Sequence, residues 1–110
     1  MIDNAIVHFD IVGPADEQTH AFYRDLLGWN IEVQGPGYAL VETPSGLRGS
    51  IVDGDAPMVT FGVAVADIEA AVASAARLGA DVVMPVTDNG WVTKAQVRDP
   101  AGNTVTLIQR

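Results

Sequence analysis

His8 and Asp10 are the two side chains whose types and spacing best fit acid–base chemistry. They lie in the segment from Asn4 to Val12, where apolar and polar residues alternate as in a β-strand with one polar face. Residues two apart on a strand point to the same side, so both side chains could share a water molecule, a substrate or a metal ion. This arrangement is typical of proton transfer or ligand binding. The alternative is structural: His8 makes one hydrogen bond and Asp10 meets solvent.

Three aromatic side chains could add a face for an aromatic or cationic guest. Trp91 follows Gly90 in a predicted loop and is expected to contact a ligand, whereas Tyr38 could serve either the pocket or the core. Trp29, which follows a predicted helix, is expected in the core. His20 lies in the middle of that helix among polar residues and is expected to be exposed.

The elements that must position these residues occur twice. In the first half, a strand is followed by a helix that Asp16 caps and Gly28 ends, with Phe22 and Leu26 on one stripe. In the second half, an alternating strand at residues 59–65 is followed by a helix from an aspartate cap at position 67 to a glycine at position 79. The interval from cap to glycine is the same in both helices, which indicates duplication.

Each helix is followed by the same three predicted strands. They lie at residues 29–33, 38–42 and 49–52 in the first half, and at residues 80–84, 91–97 and 104–109 in the second. A Pro-x-Gly turn precedes the last strand of each half. The sequence therefore predicts one α+β domain over residues 1–110. It comprises two tandem βαβββ modules, at about residues 1–53 and 58–110, whose mixed sheets form a cup-shaped cavity with the helices outside.

Composition restricts the classes of partner. Fourteen acidic against six basic residues give a net charge of −8, which argues against nucleic acid and suits either solubility or a cationic ligand. No apolar run approaches the roughly 20 residues of a membrane span, so no membrane partner is expected. With no cysteine and no leader-like N-terminus, the expected location is cytoplasmic.

Four segments carry a family resemblance: His8 in the first strand, Phe22-Tyr-Arg-Asp-Leu-Leu-Gly-Trp29, Val65-Ala-Asp-Ile68 and Asp99-Pro-Ala-Gly-Asn103. Together they resemble the vicinal oxygen chelate superfamily, which includes glyoxalase I, extradiol dioxygenases, methylmalonyl-CoA epimerase and bleomycin-binding proteins. The resemblance covers essentially the whole chain. It implies a homodimer and a pocket for a small-molecule ligand.

Most enzymes of that superfamily hold a divalent metal with His, Gln or Glu at four equivalent positions. The resemblance places these positions at His8, Ser50, Thr60 and Thr106, of which only His8 is a competent ligand. Where family enzymes carry a glutamate in the final strand, this chain has Thr106. A complete metal site and other cofactors are therefore not expected, and the three hydroxyl-bearing residues are expected to contact the ligand instead.

Three functions are consistent with these residues. The first is a metal-independent module that binds a small cationic or aromatic compound, as bleomycin-binding members of the superfamily do. The second is a glyoxalase-type lyase or isomerase, or a dioxygenase, in which His8 and Asp10 transfer protons or hold a weakly bound metal. The third is an interaction or regulatory subunit, since a domain of this size can pair with a second copy.

Overall fold

The computed structural model describes residues 3–110 and contains the predicted βαβββ order twice. The first module comprises β1 (Ile6–Gly13), α1 (Glu17–Leu27), β2 (Asn30–Gly35), β3 (Tyr38–Glu42) and β4 (Arg48–Asp53). The second comprises β5 (Met58–Val65), α2 (Ile68–Arg77), β6 (Asp81–Asp88), β7 (Thr93–Arg98) and β8 (Thr104–Gln109). The α+β class and the tandem modules are confirmed.

The chain divides into two compact units, which are described separately. One is His8–Val59, and the other is Thr60–Arg110 with the segment that ends at Val7. Neither α1 nor α2 has the length and hydropathy that a bilayer crossing requires, and residues 3–110 contain no other α-helix.

Both helices begin and end where the sequence predicts. Asp16 accepts a hydrogen bond from the backbone N–H of Thr19 at 3.1 Å, and Asp67 accepts one from Ala70 at 3.1 Å. Each aspartate therefore satisfies one of the backbone donors that a helix N-terminus leaves unpaired. At the other end of α1, Gly28 adopts a φ of 69°, a left-handed conformation that glycine reaches without steric cost.

The sheet of the first module has the strand order β2-β3-β4-β1. One of its faces carries the core residues Ala39, Val41 and Ile51, against which α1 and the residues after it pack. The predicted core position of Trp29 is confirmed, because its ring lies 5.6 Å from that of Phe9 and stacks on Tyr23 at a centroid distance of 5.6 Å.

The sheet of the second module has the order β5-β8-β7-β6 and repeats the pairing of the first. β1 pairs in parallel with β4, with Asp10 opposite Ser50, and β5 pairs in parallel with β8, with Gly62 opposite Thr106. The two last-strand positions that the resemblance singled out are thus structurally equivalent. The core of the second module contains Val65, Ile68 and Ala95, and residues of α2 pack against it.

Helix α1 buries a different face from the one its sequence suggests. His20 was predicted to be exposed, and this is wrong: its residue is 5% exposed, and its Nε2 is buried without a hydrogen-bond partner among residues 3–110. Phe22 and Leu26 are instead 56% and 64% exposed. Tyr23, three residues after His20, packs on the core, so the buried stripe of α1 runs through His20 and Tyr23.

Candidate functional site

The face of the first-module sheet opposite its core, called the polar face, carries two rows of mostly polar side chains. Strand pairing aligns the first row across β2, β3, β4 and β1 as Asn30, Glu42, Arg48 and His8. It aligns the second row, two residues further along each strand, as Glu32, Leu40, Ser50 and Asp10. Because side chains alternate along a strand, both rows lie on the face opposite the core.

His8, Asp10 and Ser50 are brought into direct contact. His8 Nε2 lies 3.1 Å from Asp10 Oδ1 and 3.3 Å from Ser50 Oγ. The side chains of His8 and Asp10 are 29% and 25% exposed, and Ser50 is buried. The predicted pairing of His8 with Asp10 on one face is therefore present, and its half-buried position strengthens the attraction relative to one in full solvent.

One nitrogen of the His8 ring makes both of these contacts. Nδ1 has no hydrogen-bond partner among residues 3–110, and it is not one of the buried polar atoms of those residues that lack a partner. Within the described residues, Nδ1 is therefore free to form a further hydrogen bond. A catalytic triad is not formed, because a triad requires the carboxylate and the hydroxyl on opposite ring nitrogens.

A concavity of about 270 Å³ opens beside His8 on this face. The other side chains of the first row line it, together with Glu32 and Leu40 from the second. Arg48 Nε lies 3.6 Å from Glu42 Oε2, so the single guanidinium is paired while Glu32 adds a second carboxylate. The lining is negative overall, and it combines this charge with an exposed leucine.

Sequence reasoning missed Glu32, Glu42 and Arg48. The polar residues of β2 and β3 alternate with apolar ones, which indicates that they share a face. Which of them stands beside His8 depends on the strand order and register, and local sequence does not specify either.

Tyr38, predicted as a ligand contact, pairs with Val52 on the same face as Leu40 and is 42% exposed.

The remaining predicted contacts lie in the second unit. Thr60 and Thr106 are buried, and Thr106 Oγ1 accepts a hydrogen bond from Gln96 Nε2 at 3.2 Å. Trp91 is 93% exposed in the loop between β6 and β7 and lines a separate concavity of about 550 Å³ with Asp88, Gln109 and Arg110. Contact of these residues with a ligand stays a prediction.

The donor set fits a divalent metal poorly. Of the four positions that the resemblance equates with metal ligands, three carry neutral hydroxyls, and His8 Nε2 already contacts Asp10. Neutral hydroxyls are weak partners for a divalent cation, which favours imidazole, carboxylate or thiolate. Within the described chain, no three His, Cys, Asp or Glu side chains form a potential metal cluster.

Solved structures with the same fold span several activities. A glyoxalase/bleomycin resistance protein/dioxygenase superfamily member from Vibrio splendidus 12B01 is 18% identical with a TM-score of 0.73, over 97% of this chain and 99% of that one. Methylmalonyl-CoA epimerase from Mycobacterium tuberculosis is 17% identical with a TM-score of 0.66, over 99% and 92%. At these identities the likeness establishes the fold and no activity.

A third structure contains the fold as part of a longer chain. The Mn(II)-bound glyoxalase from Novosphingobium aromaticivorans is 14% identical with a TM-score of 0.75, and 97% of this chain matches 39% of that one. None of the curated proteins compared with the chain matches it. The family model of the glyoxalase-like domain matches residues 6–108. This match covers nearly the whole chain, so the chain belongs to the glyoxalase-like domain family.

Proposed function

We propose that this protein binds a small organic cation with an apolar part on the polar face of its first module, without a complete metal site. The observation that carries the proposal is the acidic concavity beside His8, in which Glu32 and the Glu42–Arg48 pair adjoin exposed Leu40. The carboxylates attract a positive charge, and Leu40 offers apolar surface to the rest of the molecule.

Tyr38 supports the same ligand class. Its residue is 42% exposed on the ligand-facing side of β3, two positions from Leu40. A phenol ring near a bound cation attracts it through its negative face, and it also packs against an aromatic group. The net charge of −8 favours the approach of cations from solution at low salt.

Titration of the protein with benzylammonium, followed by amide chemical shifts, tests the proposal. Perturbed residues should cluster on β1 to β4 around His8. Glu32→Gln should weaken binding about fivefold, as expected for the loss of an exposed charge interaction. Glu69→Gln removes the same charge from α2 and should leave the affinity unchanged. Binding of phenylacetate at the same face with higher affinity than benzylammonium would contradict the proposal.

A second candidate function is proton transfer by the His8–Asp10 pair. The 3.1 Å contact and the open Nδ1 support it, since a general base needs an accessible lone pair within reach of the substrate. Incubation with methylmalonyl-CoA in D₂O tests one such reaction, because removal and return of a proton at the carbon between the carbonyl groups introduces deuterium there. Exchange that disappears in a folded His8→Ala variant would support this function over simple binding.

We also propose that the protein is a homodimer that uses α1. Phe22 and Leu26 are exposed on α1, while the equivalent positions of α2 hold Ala73 and Arg77, so the fold itself does not require large apolar residues there. A contact across a twofold axis would place Phe22 and Leu26 of one protomer against the same residues of its partner. Light scattering should show that Phe22→Glu dissociates the dimer and that Ala73→Glu does not; a wild-type monomer would contradict the proposal.

We propose that residues 1–110 act as one domain in the cytoplasm, in keeping with a chain that has no cysteine. Separation of a tagged protein into cytosolic and secreted fractions tests the location.

A further inference from the structure

We infer that Asp10 keeps the proton of neutral His8 on Nε2, so that Nδ1 is the hydrogen-bond acceptor presented to the ligand. The ligand is then an amine that carries N–H groups, and a quaternary ammonium compound of the same shape is disfavoured. The identity of the ligand class rests on the proposed binding of a cation at this face. The role of Asp10 rests on the geometry of the side chains alone.

The contact between His8 and Asp10 defines which ring nitrogen carries hydrogen. An ionised carboxylate, the usual state of aspartate at neutral pH, can only accept hydrogen bonds. At 3.1 Å from Asp10 Oδ1, Nε2 must therefore be the donor. A neutral imidazole has one donor and one acceptor nitrogen, so Nδ1 holds the lone pair.

Ser50 provides the competing arrangement. Its buried hydroxyl lies 3.3 Å from the same Nε2 and could donate to that nitrogen if the nitrogen carried no hydrogen. This alternative would place a lone pair of Nε2 against the Asp10 carboxylate, which is repulsive. The hydrogen bond to a charged acceptor is the stronger of the two, so Asp10 determines the tautomer and Ser50 Oγ accepts.

The surroundings of the open nitrogen favour a donor with positive charge. Nδ1 is unpaired within residues 3–110, and the concavity beside the ring also holds the carboxylates of Glu32 and Glu42. The donors that line the concavity are Asn30 and Arg48, and Arg48 is already paired with Glu42, so accepting groups outnumber free donors around a bound molecule. A protonated amine satisfies them by donating several hydrogen bonds, whereas a trimethylammonium group offers only charge.

The tautomer is measured directly by long-range proton–nitrogen correlation spectra of ¹⁵N-labelled protein above the pH at which histidine is protonated. The chain has two histidines, so a His20→Gln variant assigns the signals. Wild type should show the Nε2–H form of His8. In Asp10→Ala, where Ser50 becomes free to donate, the two tautomers should mix, and Ser50→Ala should retain the Nε2–H form. An Nδ1–H form in wild type would overturn the inference.

The ligand class is measured by comparing benzylammonium with benzyltrimethylammonium. Wild type should bind the first about tenfold more tightly, as expected for a hydrogen bond between a charged donor and the ring. His8→Phe keeps an aromatic ring without nitrogen, and its two affinities should be nearly equal. Asp10→Ala should give an intermediate ratio; Asp10→Asn serves if the alanine variant does not fold. Using the ratio cancels the loss of charge, which affects both cations.

The outcomes separate this inference from the proposed function. Equal wild-type affinities would overturn the acceptor role of Nδ1 while leaving cation binding intact. Failure of both cations to bind would overturn the proposed function and the ligand class together. In that case the spectra of wild type and Asp10→Ala still decide whether Asp10 positions the ring.

Discussion

His8 Nε2 lies 3.1 Å from Asp10 Oδ1 on the polar face of the first-module sheet. The equivalent positions of the second module hold Thr60 and Gly62, because Gly62 pairs with Thr106 as Asp10 pairs with Ser50. The duplicated frame therefore carries an ionisable pair in one copy and none in the other. Chemistry at this face depends on residues that the first module alone supplies.

The first prediction concerns metal. Three of the four positions equivalent to the superfamily's metal ligands carry hydroxyls, and the His8 ring is hydrogen-bonded to Asp10. We therefore expect no tight binding of zinc, nickel, manganese or iron(II). Elemental analysis of protein purified without chelators, followed by calorimetric titration, should show similar weak heats for wild type and His8→Ala. A one-to-one metal that is lost in His8→Ala would show that other side chains complete a site with His8.

The second prediction concerns Gly49, which lies in β4 beside the site. A Cβ at this position would come within 2.5 Å of the Phe9 ring, which packs on Trp29. Gly49→Ala should therefore lower the free energy of unfolding by about 1–3 kcal/mol through overpacking. Gly35→Ala is the matched control, because a Cβ added there would meet nothing within 4 Å in the described chain beyond its immediate neighbours. Equal denaturant midpoints for the two variants would contradict this account.

The sequence predicted the fold through local signals. Asp16 and Asp67 cap the two helices, and the predicted ranges of β3 and β8 are those observed. Caps and glycine stops act within a few residues of themselves, so they can be recognised without knowledge of the tertiary structure. The order of elements followed from these signals and from their repetition.

The site was only partly predictable because it depends on long-range pairing. His8 and Asp10 share a strand, and alternation alone placed them together. Glu32 and Glu42 reach the concavity through the register of β2 and β3 with β4, which their own segments do not encode. For His20, polar neighbours suggested exposure, but the buried stripe of a helix is decided by what packs against it.

The third prediction concerns this buried histidine. His20 Nε2 has no hydrogen-bond partner within residues 3–110, and such a desolvated polar atom costs about 1–3 kcal/mol. His20→Leu removes the polar atom, keeps most of the volume and improves helix propensity, so it should raise the free energy of unfolding by about 1 kcal/mol.

Chemical denaturation of wild type, His20→Leu and His20→Ala measures this effect. The alanine variant also removes the nitrogen but leaves a cavity, and it should be less stable than the leucine variant by about 2 kcal/mol or more. If His20→Leu is destabilised as much as His20→Ala, the nitrogen has a partner, such as an enclosed water molecule, that the replacement displaces.

The last prediction concerns the turn before β8. The backbone N–H of Asn103 donates to Asp99 Oδ1 at 2.8 Å, the Asn103 side chain donates to Oδ2 at 3.1 Å, and the N–H of Ala101 donates to Oδ1 at 2.9 Å. These bonds favour the charged carboxylate and lower the pKa of Asp99 below its ordinary value. The depressed pKa links the stability of the protein to pH.

Because the folded-state pKa lies below the unfolded one, Asp99 stabilises the fold at a pH above the ordinary aspartate value of about 4. This contribution disappears as the pH falls through the lowered pKa. Thermal midpoints should therefore be higher for wild type than for Asp99→Asn at neutral pH and should converge in acid. A constant gap between wild type and Asp99→Asn at every pH would show that the turn depends on the shape of Asp99 and not on its charge.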